Sequence, residues 1–118
     1  MSQVLDSIIK KVLVIGPESI SADYTSIVAD ISGVENAFSI QVDYSNGVGL
    51  DMDLVLEVSV DGQSYVRISE SLQNVTDATG THLWDVSEMG VVFVRVAFVI
   101  NSGSCDIDKT NLTAKRRH

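Results

Sequence analysis

The sequence has little cysteine and little proline, with a single residue of each, Cys105 and Pro17. One cysteine cannot form an intrachain disulfide or a cysteine-based zinc site. Cys105 lies two residues before Ile107, at strand spacing, which predicts a small core residue rather than a nucleophile. No cofactor is expected, and the free thiol is compatible with a reducing cytoplasm.

Long hydrophobic runs are also missing. The longest one, Val91 to Ile100, is interrupted by Arg95 and is too short to span a bilayer as a helix. The first residues, MSQVLDSIIKKVLVIG, carry their lysines in the middle and are not followed by a small-residue cleavage site. Neither a membrane partner nor a secretory signal is therefore expected.

Basic residues are few and unevenly placed. The net charge is −8, all sixteen acids precede residue 109, and the last ten residues hold Lys109, Lys115, Arg116 and Arg117. An acidic body repels phosphates, so nucleic acid is not an expected partner. The basic tail is either a contact for an acidic neighbour, including another copy of the chain, or a solvated terminus.

What the sequence does contain is enough apolar material for one core. Its 118 residues fit a single domain, and 45% of them are hydrophobic against 20% charged. A disordered chain of this length would be poor in such residues. We therefore expect one folded domain over residues 1–118, with no internal repeat and no linker.

Alternation with a period of two dominates from about residue 24 onward. Two stretches show it well, and each has an apolar face opposite a polar one. The apolar faces are Phe38, Ile40, Val42 and Tyr44 in the first stretch, and Met52, Leu54, Leu56, Val58 and Val60 in the second. Ser45-Asn46-Gly47 between them is a predicted turn, and Asp61-Gly62 predicts a two-residue hairpin.

Further strands are predicted around these two. They are residues 26–31, a short return strand near 65–68, 83–86, the very apolar 91–100 and, after a turn at 101–103, a strand from 105 to 112. Apolar residues on both faces of 91–100 indicate a central strand, or one that meets a partner. Residues 3–13 have helical spacing but strand-forming residues, and we favour a strand over 10–15. Seven or eight strands without a convincing helix predict an all-β protein, a single antiparallel β-sandwich.

Candidates for chemistry are sparse. His82 is not accompanied by a GxSxG, HExxH or HxH motif, so a surface histidine is expected rather than a catalytic one. The pairs Asp51/Asp53 and Asp106/Asp108 each place two carboxylates on one strand face, where they either bind calcium or keep the face wet. No catalytic residue is assigned, and an enzyme is not expected.

Four aromatic residues leave two alternatives open. Tyr24, Tyr44, Tyr65 and Trp84 could form a platform for a sugar, or they could pack inside the protein. Trp84, in the segment THLWDV, either packs under a loop or lies at a subunit contact, where large amphipathic rings are favoured.

Five segments in order carry a family resemblance: FSIQVDYS (38–45), EVSVDGQSY (57–65), HLWDV (82–86), FVRVAFVINSGS (93–104) and an alternating strand with a basic end. This order, over roughly residues 26–116, resembles small virion structural proteins of tailed bacteriophages. Two positions depart from the family pattern, which often has Trp after the DG turn, here Tyr65, and a small glycine-like residue where Cys105 stands.

The resemblance implies a jelly-roll-like sandwich that acts by association in a capsid or tail, as a decoration or adaptor component. It brings no catalytic residues. We expect a homo-oligomer that binds other virion proteins, in a virion assembled in the host cytoplasm. The predicted contacts are Trp84, Lys115, Arg116 and Arg117, with residues 1–16 as an N-terminal arm and 109–118 as a basic tail. The alternative is a carbohydrate- or receptor-binding β-sandwich module.

Overall fold

Two very long strands organise the chain. The computed structural model describes residues 8–32, 34–87 and 92–116. Strand β4 runs over Val34–Ser59 and strand β8 over Phe93–Arg116, and they pair antiparallel along almost their whole length. The other elements are β1 (Ile8–Ile20), β2 (Tyr24–Thr25), β3 (Ala29–Asp30), β5 (Val66–Arg67), a 3-10 turn (Ser69–Ser71), β6 (Gln73–Val75) and β7 (Gly80–Ser87).

The short strands extend both sides of this central pair. β1, β2 and β3 follow one another along the free edge of β8, while β7, β6 and β5 follow along the free edge of β4. The result is a continuous antiparallel sheet of eight strands with two halves. The first layer contains β1, residues 104–116 of β8, residues 34–45 of β4, and β7. The second layer contains the remaining parts of β8 and β4 with the five short elements.

A bend at the middle of β4 and β8 lets the two layers face each other. The register of β4 against β8 shifts on both sides of Val48, and Asn46, Gly49 and Gly103 have φ values of 56°, 57° and 77°. A Cβ on Gly103 would meet the backbone of β4, so only glycine fits there. The turns predicted at 45–47 and 101–103 are therefore wrong as chain reversals: both are bends inside continuous strands.

One hydrophobic core lies between the layers. The apolar faces predicted from alternation are buried, with the exception of Val60, which is 69% exposed. Contacts cross from one layer to the other: Cys105 Sγ lies 3.9 Å from Met52 Sδ, and the Trp84 indole N–H donates to the Ser71 carbonyl at 2.8 Å. The protein is thus an all-β antiparallel sandwich, as the alternation predicted.

The described parts of the predicted arm and tail pair with each other. Residues 8–16 lie in β1 and residues 109–116 in β8, with Ile9 opposite Ala114 and Ile15 opposite Lys109. They are strands of the first layer rather than separate arms, because Leu13 and Leu112 are buried and hold both strands on the core. The strand favoured for residues 10–15 is confirmed. Residues 1–7 and 117–118 lie outside the described residues.

Two predicted elements are more irregular than expected. Of the strand predicted over residues 26–31, only Ala29–Asp30 (β3) is a strand, and β2 lies before the predicted range. Between β2 and β3, Ser26 is buried and its hydroxyl accepts the Val96 N–H at 2.9 Å. The hairpin at Asp61-Gly62 exists, but its last strand pair is Val58 with Val66, so the loop is longer than two residues. The Ser59 hydroxyl and the Asp61 carboxylate accept backbone N–H groups within this loop and hold its shape.

Candidate interaction surfaces

Trp84 is a packing residue of the core. It faces inward from β7, is 7% exposed, and lies beneath the 3-10 turn, to which its N–H is bonded. The His82 ring meets it edge-on with centroids 4.6 Å apart, and burial lowers the pKa of His82. Of the two positions considered for Trp84, the structure shows packing under a turn. A partner contact stays a prediction, and burial leaves little of the ring for one.

The basic residues of the tail fall at the limit of what the structure describes. The backbone of Lys115 pairs with Ile8 and that of Arg116 pairs with Val34. The side chains of these two residues, and the whole of Arg117, lie outside the described residues. Their role as partner contacts stays a prediction.

The tyrosines do not form a platform with Trp84. Tyr44 is 3% exposed in the core. Tyr24 packs against Phe98 with ring centroids 5.9 Å apart, and Tyr65 lies under the Arg95 guanidinium, which is 4.0 Å from the ring centroid. The four rings thus serve packing at separate places.

The predicted carboxylate pairs accept hydrogen bonds from neighbouring strands. The Asn74 side-chain amide donates to both Asp51 and Asp53 at 2.7 Å, and Asp106 accepts from Ser19 and Asn46. Bonds from Asn74 and Asn101 lower the pKa of Asp51. In the described part of the chain, no three His, Cys, Asp or Glu side chains are grouped to hold a metal ion.

Cys105 is a core residue, as predicted. It is 3% exposed, and its pKa is raised by burial, then by Asp106 and Asp108. A buried thiol with a raised pKa stays protonated and is a poor nucleophile.

The outer face of the first layer is an open surface of three rows, which we call the outer grid. Each row crosses β7, β4, β8 and β1 through directly opposite residues, and its side chains point away from the core. A groove of about 400 Å³ runs over this face. Its floor includes the neutral side chains of Ser39, Gln41, Asn111 and Thr113.

The upper row of the outer grid has opposite charges at its two ends. It reads Asp85, Ser39, Thr113 and Lys10. Asp85 accepts the Ser39 hydroxyl at 2.8 Å, and both Asp85 and Lys10 are exposed. Three strand spacings of about 4.8 Å separate these two ends, so Asp85 and Lys10 of one chain are too far apart to pair.

The middle row has apolar ends and amide side chains in its centre. It reads Leu83, Gln41, Asn111 and Val12. Leu83 is 57% exposed and Val12 is 49% exposed, which places an unprotected aliphatic side chain at each margin of the groove.

The lower row contains an ion pair in its centre. It reads Thr81, Asp43, Lys109 and Ile15, and Lys109 Nζ lies 3.7 Å from Asp43 Oδ2. The Thr81 hydroxyl donates to the same carboxylate at 2.7 Å. Ile15 is 83% exposed at the β1 end. The polar side chains of this row bond to one another, whereas the apolar side chain at its β1 end is exposed to solvent.

The outer face of the second layer is closed by the chain itself. Glu57 is 8% exposed and accepts bonds from Arg95 Nε at 2.7 Å and Arg67 Nε at 2.9 Å. Burial raises the pKa of Glu57, but the two guanidinium bonds outweigh it and leave the pKa below its ordinary value. The loop of residues 60–65 folds over this face, since a Cβ on Gly62 would lie 3.2 Å from the Phe93 ring.

This cluster was missed at the level of sequence. Its signal was the presence of Glu57 and Arg95 in the middle of apolar strand patterns. A charge at such a position is usually paired when it is buried. The rows of the outer grid carried no comparable signal, because the order of strands across a sheet is not visible in a linear pattern.

No helix in the described part of the chain is long and apolar enough to cross a membrane.

Comparison with known proteins identifies the fold but not a family. No protein-family model matches the sequence, and no curated protein matches it either. Among solved structures, VP2 of an infectious bursal disease virus subviral particle has a TM-score of 0.61 over 95% of this chain and 33% of that one, at 12% identity. The SPBc2 prophage-derived protein YomS has a TM-score of 0.54 over 92% of both chains, at 11% identity.

A phage tailspike shows a third likeness. The enzymatically active domain of tailspike protein 4 from bacteriophage CBA120 has a TM-score of 0.59 over 92% of this chain and 18% of that one, at 8% identity. The chain spans about a third of the infectious bursal disease virus chains that it matches. At these identities the likeness shows the fold alone, and this β-rich fold also occurs in viral and phage-derived proteins.

Proposed function

We propose that this chain is a virion structural protein that acts by subunit association in the capsid or tail of a tailed bacteriophage, as a decoration or adaptor component. The observation that carries the proposal is the fold. It is similar to VP2 of a viral particle over most of this chain and to a prophage-derived protein over nearly the full length of both. The five-segment resemblance of the sequence to phage virion proteins points the same way.

Association rather than catalysis also suits the polar groups that the structure describes. Burial keeps the Cys105 thiol protonated and lowers the pKa of His82, whose ring packs on Trp84. The carboxylates of Asp51 and Asp106 accept bonds that tie neighbouring strands together. These groups stabilise a rigid scaffold, and such a scaffold can present faces and edges to neighbouring subunits.

The proposed partners are other virion proteins and further copies of this chain, in particles assembled in the host cytoplasm. The net charge of −8 disfavours contact with nucleic acid phosphates. Many copies act together in a particle, so each individual contact can be weak.

The test is to find the chain in particles. Phage or prophage particles are purified from the cells that encode it by density gradient, cross-linked, and analysed by mass spectrometry. The expected result is many copies of the chain per particle, cross-linked to each other and to a head or tail protein. Particles that lack the chain would contradict the proposal.

A second candidate is a carbohydrate- or receptor-binding module, favoured by the groove over the outer grid. Its floor presents hydroxyl and amide groups, which suit the hydroxyls of a sugar. Trp84 cannot serve as the stacking ring from its buried position. A glycan array tests this function: binding that is lost in Gln41→Ala and Asn111→Ala would favour it over association.

A further inference from the structure

We propose that the outer grid is the contact between two copies of this chain, which pack face to face about a two-fold axis parallel to the strands. This inference rests on the proposed function and names the partner and the surface. The axis lies between the two faces. It places β1 of one copy over β7 of its partner and β8 of one copy over β4 of its partner, while each row stays opposite the same row.

The rows are chemically complementary under this operation. In the upper row, Lys10 meets Asp85 of the other copy at both ends of the contact, and Ser39 meets Thr113. An exposed lysine and an exposed aspartate that are too far apart within one chain are thereby brought together twice. Opposite charges facing across an interface favour this orientation over others.

The middle row brings like groups together. Leu83 of one copy meets Val12 of the other, again twice, and the amides of Gln41 and Asn111 face each other in the centre. The two aliphatic side chains are about half exposed in the single chain. Their mutual burial removes apolar surface from water, and amides can bond to one another directly or through water.

The lower row repeats the pattern of the upper one. Lys109 of one copy meets Asp43 of the other, adding a second partner to an ion pair that already exists in each chain. Ile15 comes to lie over Thr81 and loses its exposure. No row of the grid puts like charges opposite each other.

The positions of the basic side chains also favour the outer grid as the contact. The protein is acidic overall, so a second copy is attracted to exposed cations. Five cationic side chains are described by the structure: Lys10, Lys11, Arg67, Arg95 and Lys109. Both arginines are bonded to Glu57 in the second layer, whereas the lysines belong to the first layer. Of these lysines, Lys10 and Lys109 lie in the rows of the outer grid, where an acidic neighbour can reach them.

The size of the grid predicts a weak contact. Four strands about 4.8 Å apart and six residues of about 3.4 Å each span roughly 400 Å² per copy, so the interface falls at or below the low end of specific protein contacts. The tilt of about 30° that is usual between stacked sheets moves the ends of the upper and lower rows by roughly one strand spacing, a distance that the long side chain of Lys10 can span. Such a dimer forms at high concentration and is reinforced by repetition in a particle.

The experiment uses two charge reversals and their mixture. Self-association of the purified chain is followed by sedimentation equilibrium. The variants Lys10→Glu and Asp85→Lys are each measured alone, and the two single variants are then measured as an equimolar mixture. Each variant alone faces like charges at two places and should dimerise about tenfold more weakly, because two exposed attractive pairs become repulsive. In the equimolar mixture, Glu at position 10 meets Lys at position 85 and the native pair forms at the other end. The mixture should therefore associate as strongly as the wild type. The heterodimers differ in mass from both homodimers, so native mass spectrometry distinguishes them.

Asp77→Lys is the matched control for Asp85→Lys, because it makes the same charge change at an exposed loop position outside the grid. It should leave self-association as in the wild type. A wild-type chain that stays monomeric, single variants that associate like the wild type, or a mixture without heterodimers would each overturn the proposed contact. A face that binds a different virion protein, with binding lost in both variants and not regained on mixing, would also overturn it.

The outcomes for the proposed function are separate. If particles contain the chain while the variants associate normally, this contact is wrong and the function stands. If the heterodimers form but particles lack the chain, the contact stands and the function is wrong.

Discussion

Two ion pairs on the same two strands show how differently the outer faces of this protein are built. Glu57 and Arg95 are directly opposite each other in the second layer, and Asp43 and Lys109 are directly opposite each other in the first. The first of these pairs has a separation of 2.7 Å and side chains 10% and 29% exposed. The second has a separation of 3.7 Å and side chains 20% and 58% exposed.

The difference comes from what covers each pair. Glu57 receives a second guanidinium from Arg67 on β5, and Tyr65 stacks on Arg95 from the loop. Val55 and Ala97, on the same side, are only 1% and 2% exposed. The outer face of the second layer is thus completed within the chain, whereas the outer grid of the first layer remains open. A surface whose charged groups are paired and covered within the chain exposes few groups to a partner. Association is therefore expected at the outer grid.

The largest effect is expected from separating the two layers. Trp84→Ala removes a buried ring and its bond to Ser71, which join the first layer to the second. Loss of a buried large aromatic side chain typically costs about 3–5 kcal/mol, so urea unfolding should show a decrease of this order. Trp84→Phe, which keeps most of the ring, should lose clearly less. Equal losses in both variants would mean that the ring volume does not hold the layers together.

The next largest effect tests the closed face against the open one. Glu57→Ala leaves two guanidinium groups without their carboxylate, and we expect a loss of about 2–3 kcal/mol, below the usual range for a buried pair because Arg67 is half exposed. Asp43→Ala breaks the more exposed pair and should cost about 1 kcal/mol or less. The measurement is the free energy of unfolding in urea. Similar losses at both positions would contradict the proposed difference between the faces.

A smaller effect concerns pH. The pKa of Glu57 is lowered in the folded protein, because the bonds from Arg67 and Arg95 outweigh burial. A depressed pKa contributes stability that is present above the unfolded value of about 4.3 and is lost as the pH falls through the folded value. The melting temperature should therefore fall less steeply below about pH 5 in Glu57→Gln than in the wild type. Parallel curves of melting temperature against pH for the two proteins would show that Glu57 does not cause this pH dependence.

The smallest effect is expected at the centre of the outer grid. Gln41→Ala removes an exposed amide whose bond to Asp43, at 3.3 Å, is long. Stability should change by no more than about 0.5 kcal/mol, as is usual for surface positions. Thermal unfolding checks this. A loss of more than about 1 kcal/mol would mean that the open face is also needed for folding.

Much of the fold could be predicted from single residues. The apolar side of β4 followed from alternation in its two halves, and Cys105 was placed in the core from its spacing to Ile107. The errors lay where chain reversals were expected. Asn46-Gly47 and Ser102-Gly103 carry turn-forming residues, but these residues serve a bend shared by two paired strands.

The candidate surfaces were less accessible to prediction. The sequence singles out Trp84 as either a packing residue or a contact residue, yet its bond to Ser71 depends on a turn in the other layer. Glu57 and Arg95 are 38 residues apart, and nothing in the local pattern indicates that they pair. The charges of residues 109–118 predict a basic tail that either contacts an acidic neighbour or is solvated, whereas the buried Leu112 and Ala114 hold its described part in the sheet.

Alternation alone determined that the protein is all-β and which side of β4 is buried, since successive side chains of a strand point to opposite faces. Only the tertiary structure decided which outer face is closed and which stays open. That outcome depends on strand order and on a loop folded over β4 and β8. Both are set by contacts between residues far apart in the chain, which no local pattern encodes.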